Sequence, residues 1–186
     1  MDASELGQDI TSVVVTKEQI ESRIQEIAKQ IDADYAKTDQ PLLLIGVLKG
    51  AVMAMADISR ALSIPVNMDY MAVSSYGSGT QSSGVVRIVK DLDIDLIGRD
   101  VLIVEDILDT GLTLSWLIKN LKSRGPKSVE VITVFRKPEA VKVQVDAKYI
   151  GFDIPSDFVV GYGLDYNEQY RNVRDVAVLA PHVYGK

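Results

Sequence analysis

Two short runs constrain the fold more than any other part of this chain: 42-LLLIGV-47 and 101-VLIV-104 are apolar on consecutive residues, not on alternate ones. A strand with one wet face alternates polar and apolar side chains, whereas a strand covered on both faces has no polar side to show. Each run leads through a turn into a segment of helical character. Lys49-Gly50 precedes AVMAMADISRAL (51–62), and EDILDTG precedes LTLSWLIKNLKSRG (112–125), which Gly125-Pro126 stops. Further strands read at 66–74 and 128–135. Upstream, Thr16-Lys17-Glu18-Gln19 has the capping-box form, and Ile20, Ile24, Ile27 and Ile31 follow at helical spacing, which predicts an amphipathic helix over 17–36. Strands alternating with helices predict an α/β fold with a central, mainly parallel sheet flanked by helices.

In open sheets of this kind ligands bind beyond the carboxyl ends of the strands. Lys49-Gly50, Glu105 to Thr113 and Lys137 are therefore expected on one edge. Two segments interrupt the alternation. Residues 74–84, SSYGSGTQSSG, read either as a passive hairpin tip or as a mobile lid with glycine hinges that delivers Tyr76 to the site. From Tyr149 onwards, short strands at 147–151, 158–162 and 176–180 read as a small hood on what is otherwise a single domain of 186 residues.

Composition removes several chemistries. The chain has no cysteine and one histidine, His182, so thiolate zinc sites, disulfides and histidine clusters are excluded. A net charge of −6 argues against a nucleic-acid surface, which needs a basic face. The segment MDASELGQDI lacks the basic start and apolar run of a signal peptide, and no run approaches the ~20 apolar residues of a membrane span. A soluble cytoplasmic protein is expected.

The chemistry concentrates in 101-VLIVEDILDTGLT-113. A glycine turn entering a helix aims backbone N–H groups at one point, and the helix end adds roughly half a positive charge, so this turn suits a phosphate. Thr110 and Thr113 either add hydroxyl donors or only cap the helix. Three acids sit just ahead of it. A carboxylate about 4 Å from a phosphate oxygen is repelled by roughly 4 kcal/mol at an effective dielectric of about 20, so the acids need other partners. Either Mg²⁺ lies between acids and phosphates, or the acids accept hydrogen bonds from sugar hydroxyls; the plain alternative is that Glu105 and Asp106 form surface ion pairs.

This 13-residue run resembles the signature of the type I phosphoribosyltransferases, which bind 5-phosphoribosyl 1-diphosphate. The stretches GVLKGAV, SSYGSG, FRKPE and FVVGYGLDYNEQYR are similar to the hypoxanthine-guanine branch of that family over nearly the whole chain. The resemblance implies the type I phosphoribosyltransferase fold with a hood, and Mg²⁺-dependent transfer of phosphoribose to hypoxanthine or guanine, giving IMP or GMP and diphosphate. It assigns Asp109, Thr110, Gly111, Leu112 and Thr113 to the 5′-phosphate, with Asp109 also the general base. Glu105 and Asp106 go to the ribose and, with Asp165, to the metal. Lys49, Gly50, Ser75, Tyr76 and Arg171 go to the diphosphate, and the peptide before Lys49 is one the family can hold in the cis form. Lys137, Phe158, Val159 and Asp165 go to the purine. As a donor-only side chain, Lys137 favours a 6-oxo over a 6-amino purine. Without the resemblance, Lys137 reads as a solvated surface lysine and Phe158 as core.

The family forms dimers and tetramers, and the helix at 51–62 is small and apolar around most of its circumference, so a homo-oligomer is expected. Two rival readings are a regulatory protein of the same fold that acts on RNA or DNA, and an enzyme for xanthine or another base.

Overall fold

The computed structural model describes residues 1–75 and 86–185, so nearly all of the predicted lid, Tyr76 included, lies outside the described residues. From the N-terminal side, β1 (Ile10–Val15) leads into α1 (Lys17–Asp34), β2 (Leu42–Leu48), α2 (Val52–Ala61) and β3 (Val66–Ser75). Then come β4 (Val86–Lys90), β5 (Asp100–Leu108), α3 (Leu112–Lys122), β6 (Ser128–Arg136) and β7 (Tyr149–Asp153). Last are β8 (Val159–Val160), β9 (Val176–Leu179) and the short α4 (Pro181–Tyr184). One sheet has six strands in the order β4-β3-β2-β5-β6-β7, parallel throughout except for β4. The other is antiparallel, β1-β9-β8.

The consecutive apolar runs do what their pattern requires. Leu42, Leu44, Leu102 and Val104 pack with Ile20, Ile24, Ile27 and Ile31 of α1 and with Met55 and Ile58 of α2. Their neighbours Leu43, Ile45, Val101 and Ile103 pack on the opposite face with Leu114, Leu117 and Leu121 of α3. The two-residue period of a strand thus splits each run between two cores, with β2 and β5 in the middle. Capping of α1 is as its sequence predicts: the Thr16 hydroxyl accepts from the Gln19 N–H at 3.3 Å, and the Gln19 side chain accepts from the Thr16 N–H at 2.8 Å.

The strand expected at 147–151 lies at 149–153 and pairs in parallel with β6, so it is the edge of the main sheet and not part of a hood. The Arg23 guanidinium covers its open side, donating to the carbonyls of Ile150 at 2.9 Å and Gly151 at 3.1 Å. The second sheet takes β1, which the pattern analysis does not predict, from the other end of the chain.

Asp69 ties the chain after β4 to β3. Only 6% exposed, its carboxylate accepts N–H donors from Tyr70 at 2.7 Å, Asp93 at 2.8 Å and Ile94 at 3.0 Å. Burial alone would raise its pKa, but these donors and Lys90 hold it below the usual carboxylate value. A depressed folded pKa stabilises the fold above the unfolded value of about 3.9, and this stability is lost as pH falls through the lowered folded value. Asp69→Ala orphans the donors and is expected to cost about 1–3 kcal/mol in urea unfolding at pH 7. The gap to the parent protein should narrow below about pH 4; a gap that stays constant with pH would contradict this role.

Candidate active site

Three parallel strands end side by side. β2 stops at Leu48, β5 at Leu108 opposite Arg136 of β6, and the Lys137 N–H donates to the Leu108 carbonyl at 2.9 Å. Lys49-Gly50, Asp109 to Thr113 and Lys137 therefore leave the sheet along one edge, where the strand pattern puts them. The Leu48–Lys49 peptide is cis. Gly50 lies so close to Asp106 that a Cβ would run into the Asp106 carboxylate, and a Cβ on Gly163 would meet the Gly50 carbonyl. Glycine at both positions lets the β2 turn, an acid of β5 and the loop after β8 converge.

Glu105 and Asp106 are each 9% exposed, which removes the surface ion-pair alternative. Burial pushes Glu105 well above the usual carboxylate range, and the charge of Asp106 adds to it. Burial also raises Asp106, against the Ile107 N–H that it accepts at 2.8 Å and the field of Arg171. Two adjoining buried carboxylates favour an arriving cation or hydroxyl donors over further anions. Among the described residues no three side chains of Asp, Glu, His or Cys type converge to hold a metal ion by themselves. This donor set still fits Mg²⁺, which takes one or two carboxylates and completes its shell with water and substrate phosphate oxygens.

Beyond them Asp109 is exposed, and the turn follows. Gly111 is the N-cap of α3 at φ +78°, and a Cβ there would collide with the Val143 carbonyl, so both conformation and space demand glycine. Gly111 offers no side chain to cap α3, but the Thr110 hydroxyl accepts from the Leu112 N–H at a long 3.5 Å, so the capping alternative holds weakly for Thr110 and fails for Thr113. The N–H groups of the first turn and the helix dipole together make an anion cradle.

Lys137 is 8% exposed, not a solvated surface lysine. Among the described residues no carboxylate pairs with it, whereas its neighbour Arg136 pairs with Asp153 at 2.7 Å. Phe158 is 40% exposed, not core. Its ring stacks on Tyr184 at 5.0 Å between centroids and meets Tyr166 edge-on at 5.7 Å. Val159 begins β8 and is buried. Ser75 ends β3, paired with Val86.

The loop after β8 contributes a residue that pattern reading misses. Arg171 pairs with Asp165 at 2.9 Å and Glu168 at 3.3 Å, and Glu168 also pairs with Lys49 at 2.7 Å. The available clue is spacing: Asp165, Glu168 and Arg171 recur at every third position. Tyr184 and Tyr166 are likewise unpredicted. A cavity of about 630 Å³ lies away from the strand ends, between α1, α2 and the residues around Arg171. Tyr162 lines it and donates to Asp57 at 2.8 Å.

Known proteins resemble this chain over most of its length. A family model described as "Phosphoribosyl transferase domain" matches residues 13–167. A hypoxanthine-guanine phosphoribosyltransferase of Mycobacterium tuberculosis is 59% identical over 95% of this chain and 89% of its own. Among solved structures, a hypoxanthine phosphoribosyltransferase of Staphylococcus aureus superposes with a TM-score of 0.93 at 42% identity, covering 99% of each chain. A variant of the Trypanosoma cruzi enzyme, complexed with the product IMP, gives 0.90 at 42% identity over 96% of this chain and 95% of that one.

Proposed function

The chain belongs to the phosphoribosyltransferase family, on the branch of the hypoxanthine-guanine enzymes, and from that premise we propose that it transfers phosphoribose from 5-phosphoribosyl 1-diphosphate to hypoxanthine or guanine. The observation that carries this reading is the convergence on one sheet edge of a glycine-led helix start, two buried adjoining acids and a buried lysine. IMP or GMP and diphosphate are the products, and purine salvage is the role.

In this reading Asp109 to Thr113 hold the 5′-phosphate, with the α3 N-terminus supplying positive potential. Glu105 and Asp106 face the ribose hydroxyls and would hold Mg²⁺, with Asp165 at a second Mg²⁺ position. Bound there, the ion neutralises charge on the diphosphate and so helps it leave. Lys49, Gly50 and Arg171 bind the diphosphate; the roles of Ser75 and Tyr76 rest on the family resemblance alone. Lys137 donates to the purine 6-oxo group, Phe158 stacks on the base, and Val159 and Asp165 border it. The bond from ribose C1 to the diphosphate oxygen breaks, the bond from C1 to purine N9 forms, and Asp109 takes the proton from N7. Buried acids near C1 favour the positive charge that develops there.

We also propose a single domain with a lid at about 74–84 and a hood made of the β1-β9-β8 sheet and the loops around Arg171. Location in the cytoplasm is part of the same reading; among the described residues no helix is long and apolar enough to cross a membrane. A homodimer or homotetramer using α2 is supported by Val52, an apolar side chain 40% exposed at the start of that helix.

Incubation with 5-phosphoribosyl 1-diphosphate, Mg²⁺ and a panel of bases tests the function. Diphosphate release is expected with hypoxanthine and guanine and not with adenine. Release with xanthine alone would shift the assignment to another base, and binding of the sugar diphosphate without turnover would favour the regulatory reading.

A further inference from the structure

Glu168 places one oxygen of its carboxylate on each of the two cations assigned to the diphosphate. Oε2 lies 2.7 Å from the Lys49 ammonium and Oε1 lies 3.3 Å from the Arg171 guanidinium. We propose, on the assignment of Lys49 and Arg171 given above, that Glu168 is a positioning residue that stands in for diphosphate. It bridges the two cations in the free enzyme, must swing away when the sugar diphosphate arrives, and returns as diphosphate departs.

The two cations are held differently. Arg171 is fixed by Asp165 at 2.9 Å and by donation to the Gly163 carbonyl at 2.8 Å, and its side chain is 23% exposed. Lys49 and Glu168 are 65% and 63% exposed, so their pair is solvated and exchanges readily. The backbone is shaped to present the carboxylate. Asn167, Glu168 and Tyr170 occupy the left-handed region at φ +53°, +64° and +72°, which non-glycine residues rarely adopt. The Glu168 N–H donating to Asp165 at 2.9 Å and the mutual pairing of Tyr166 with Gln169 hold them there. Such conformations persist where surrounding contacts enforce them, commonly at functional sites.

Charge sets the direction of the effect. Without Glu168 the Lys49 ammonium loses its carboxylate and Arg171 keeps only Asp165; with Glu168 in place an incoming polyanion meets a carboxylate on the very donors it needs. Glu168 therefore weakens binding of the whole diphosphate group, in substrate and product alike, and hastens product release. It keeps the lysine and arginine oriented between turnovers.

The test compares the parent protein, Glu168→Gln and Lys49→Met by calorimetric binding of magnesium diphosphate and by KM for each substrate. For Glu168→Gln, diphosphate Kd and the KM for 5-phosphoribosyl 1-diphosphate are expected to fall about threefold to tenfold, the scale of one or two exposed ion pairs. KM for hypoxanthine and guanine should not move, and the gain should shrink in high salt. Unchanged or weaker diphosphate binding in Glu168→Gln, while Lys49→Met loses affinity, overturns the stand-in role alone. Unchanged binding in Lys49→Met overturns the assignment of Lys49 itself. Should Glu168→Gln misfold, Glu168→Asp retains the charge at shorter reach and is expected to give a smaller tightening in the same assay; none would count against the proposal.

Discussion

Asp109→Asn is expected to slow nucleotide formation by about 10²–10⁴-fold, the range typical of a lost general base. The substitution keeps size and shape and removes only the capacity to take a proton. Asp109 is exposed at the end of β5, outside both apolar cores, so the thermal midpoint should stay within the small range usual for surface changes. Because the backbone of the turn is retained, KM for 5-phosphoribosyl 1-diphosphate should change far less than kcat. Turnover close to that of the parent protein would remove Asp109 from the proton-transfer role and leave it only the phosphate turn.

Lys137→Ala is expected to raise KM for hypoxanthine and guanine by about tenfold to a hundredfold, since a charge-assisted hydrogen bond contributes about 1.5–3 kcal/mol. The side chain is 8% exposed and, among the described residues, has no carboxylate partner, which supports the proposed role at the base more than a role in the fold. Discrimination against adenine should weaken at the same time, because a lysine can only donate and the 6-amino group also donates. Steady-state kinetics across the base panel measures both, and an unchanged base profile would count against the assignment.

How much of this was legible from residues alone depends on whether a property is local. Runs such as LLLIGV and VLIV declare two-sided burial, and those strands and their helices lie where the pattern puts them. β1 and β4 escape prediction because they are edge strands, and ITSVVV and VRIVK bury little surface of their own. β5 runs to Leu108, past the acids expected to end it, because Ile107 and Leu108 pair with Phe135 and Arg136. At the site, glycine turns and clustered acids are visible in one dimension. The burial of Lys137, the stacking of Phe158 on Tyr184 and the bridge from Glu168 to Lys49 are not, since each joins segments far apart in the chain or depends on what covers them.

The sheet β1-β9-β8 joins Val13 to Ala177 and Val178 to Val159, and the buried Asp175 accepts the Ala3 N–H at 2.9 Å. Pairings of such long sequence separation form late, because a long loop must close before any contact rewards it. During synthesis β1 emerges early and stays without its partner until residues 176–179 have left the ribosome. The turn proposed to hold the phosphate, enclosed by β5 and α3, can take shape long before that. The strand that carries Val159, beside Phe158, cannot, so a nascent chain should gain its grip on the sugar phosphate before its grip on the base.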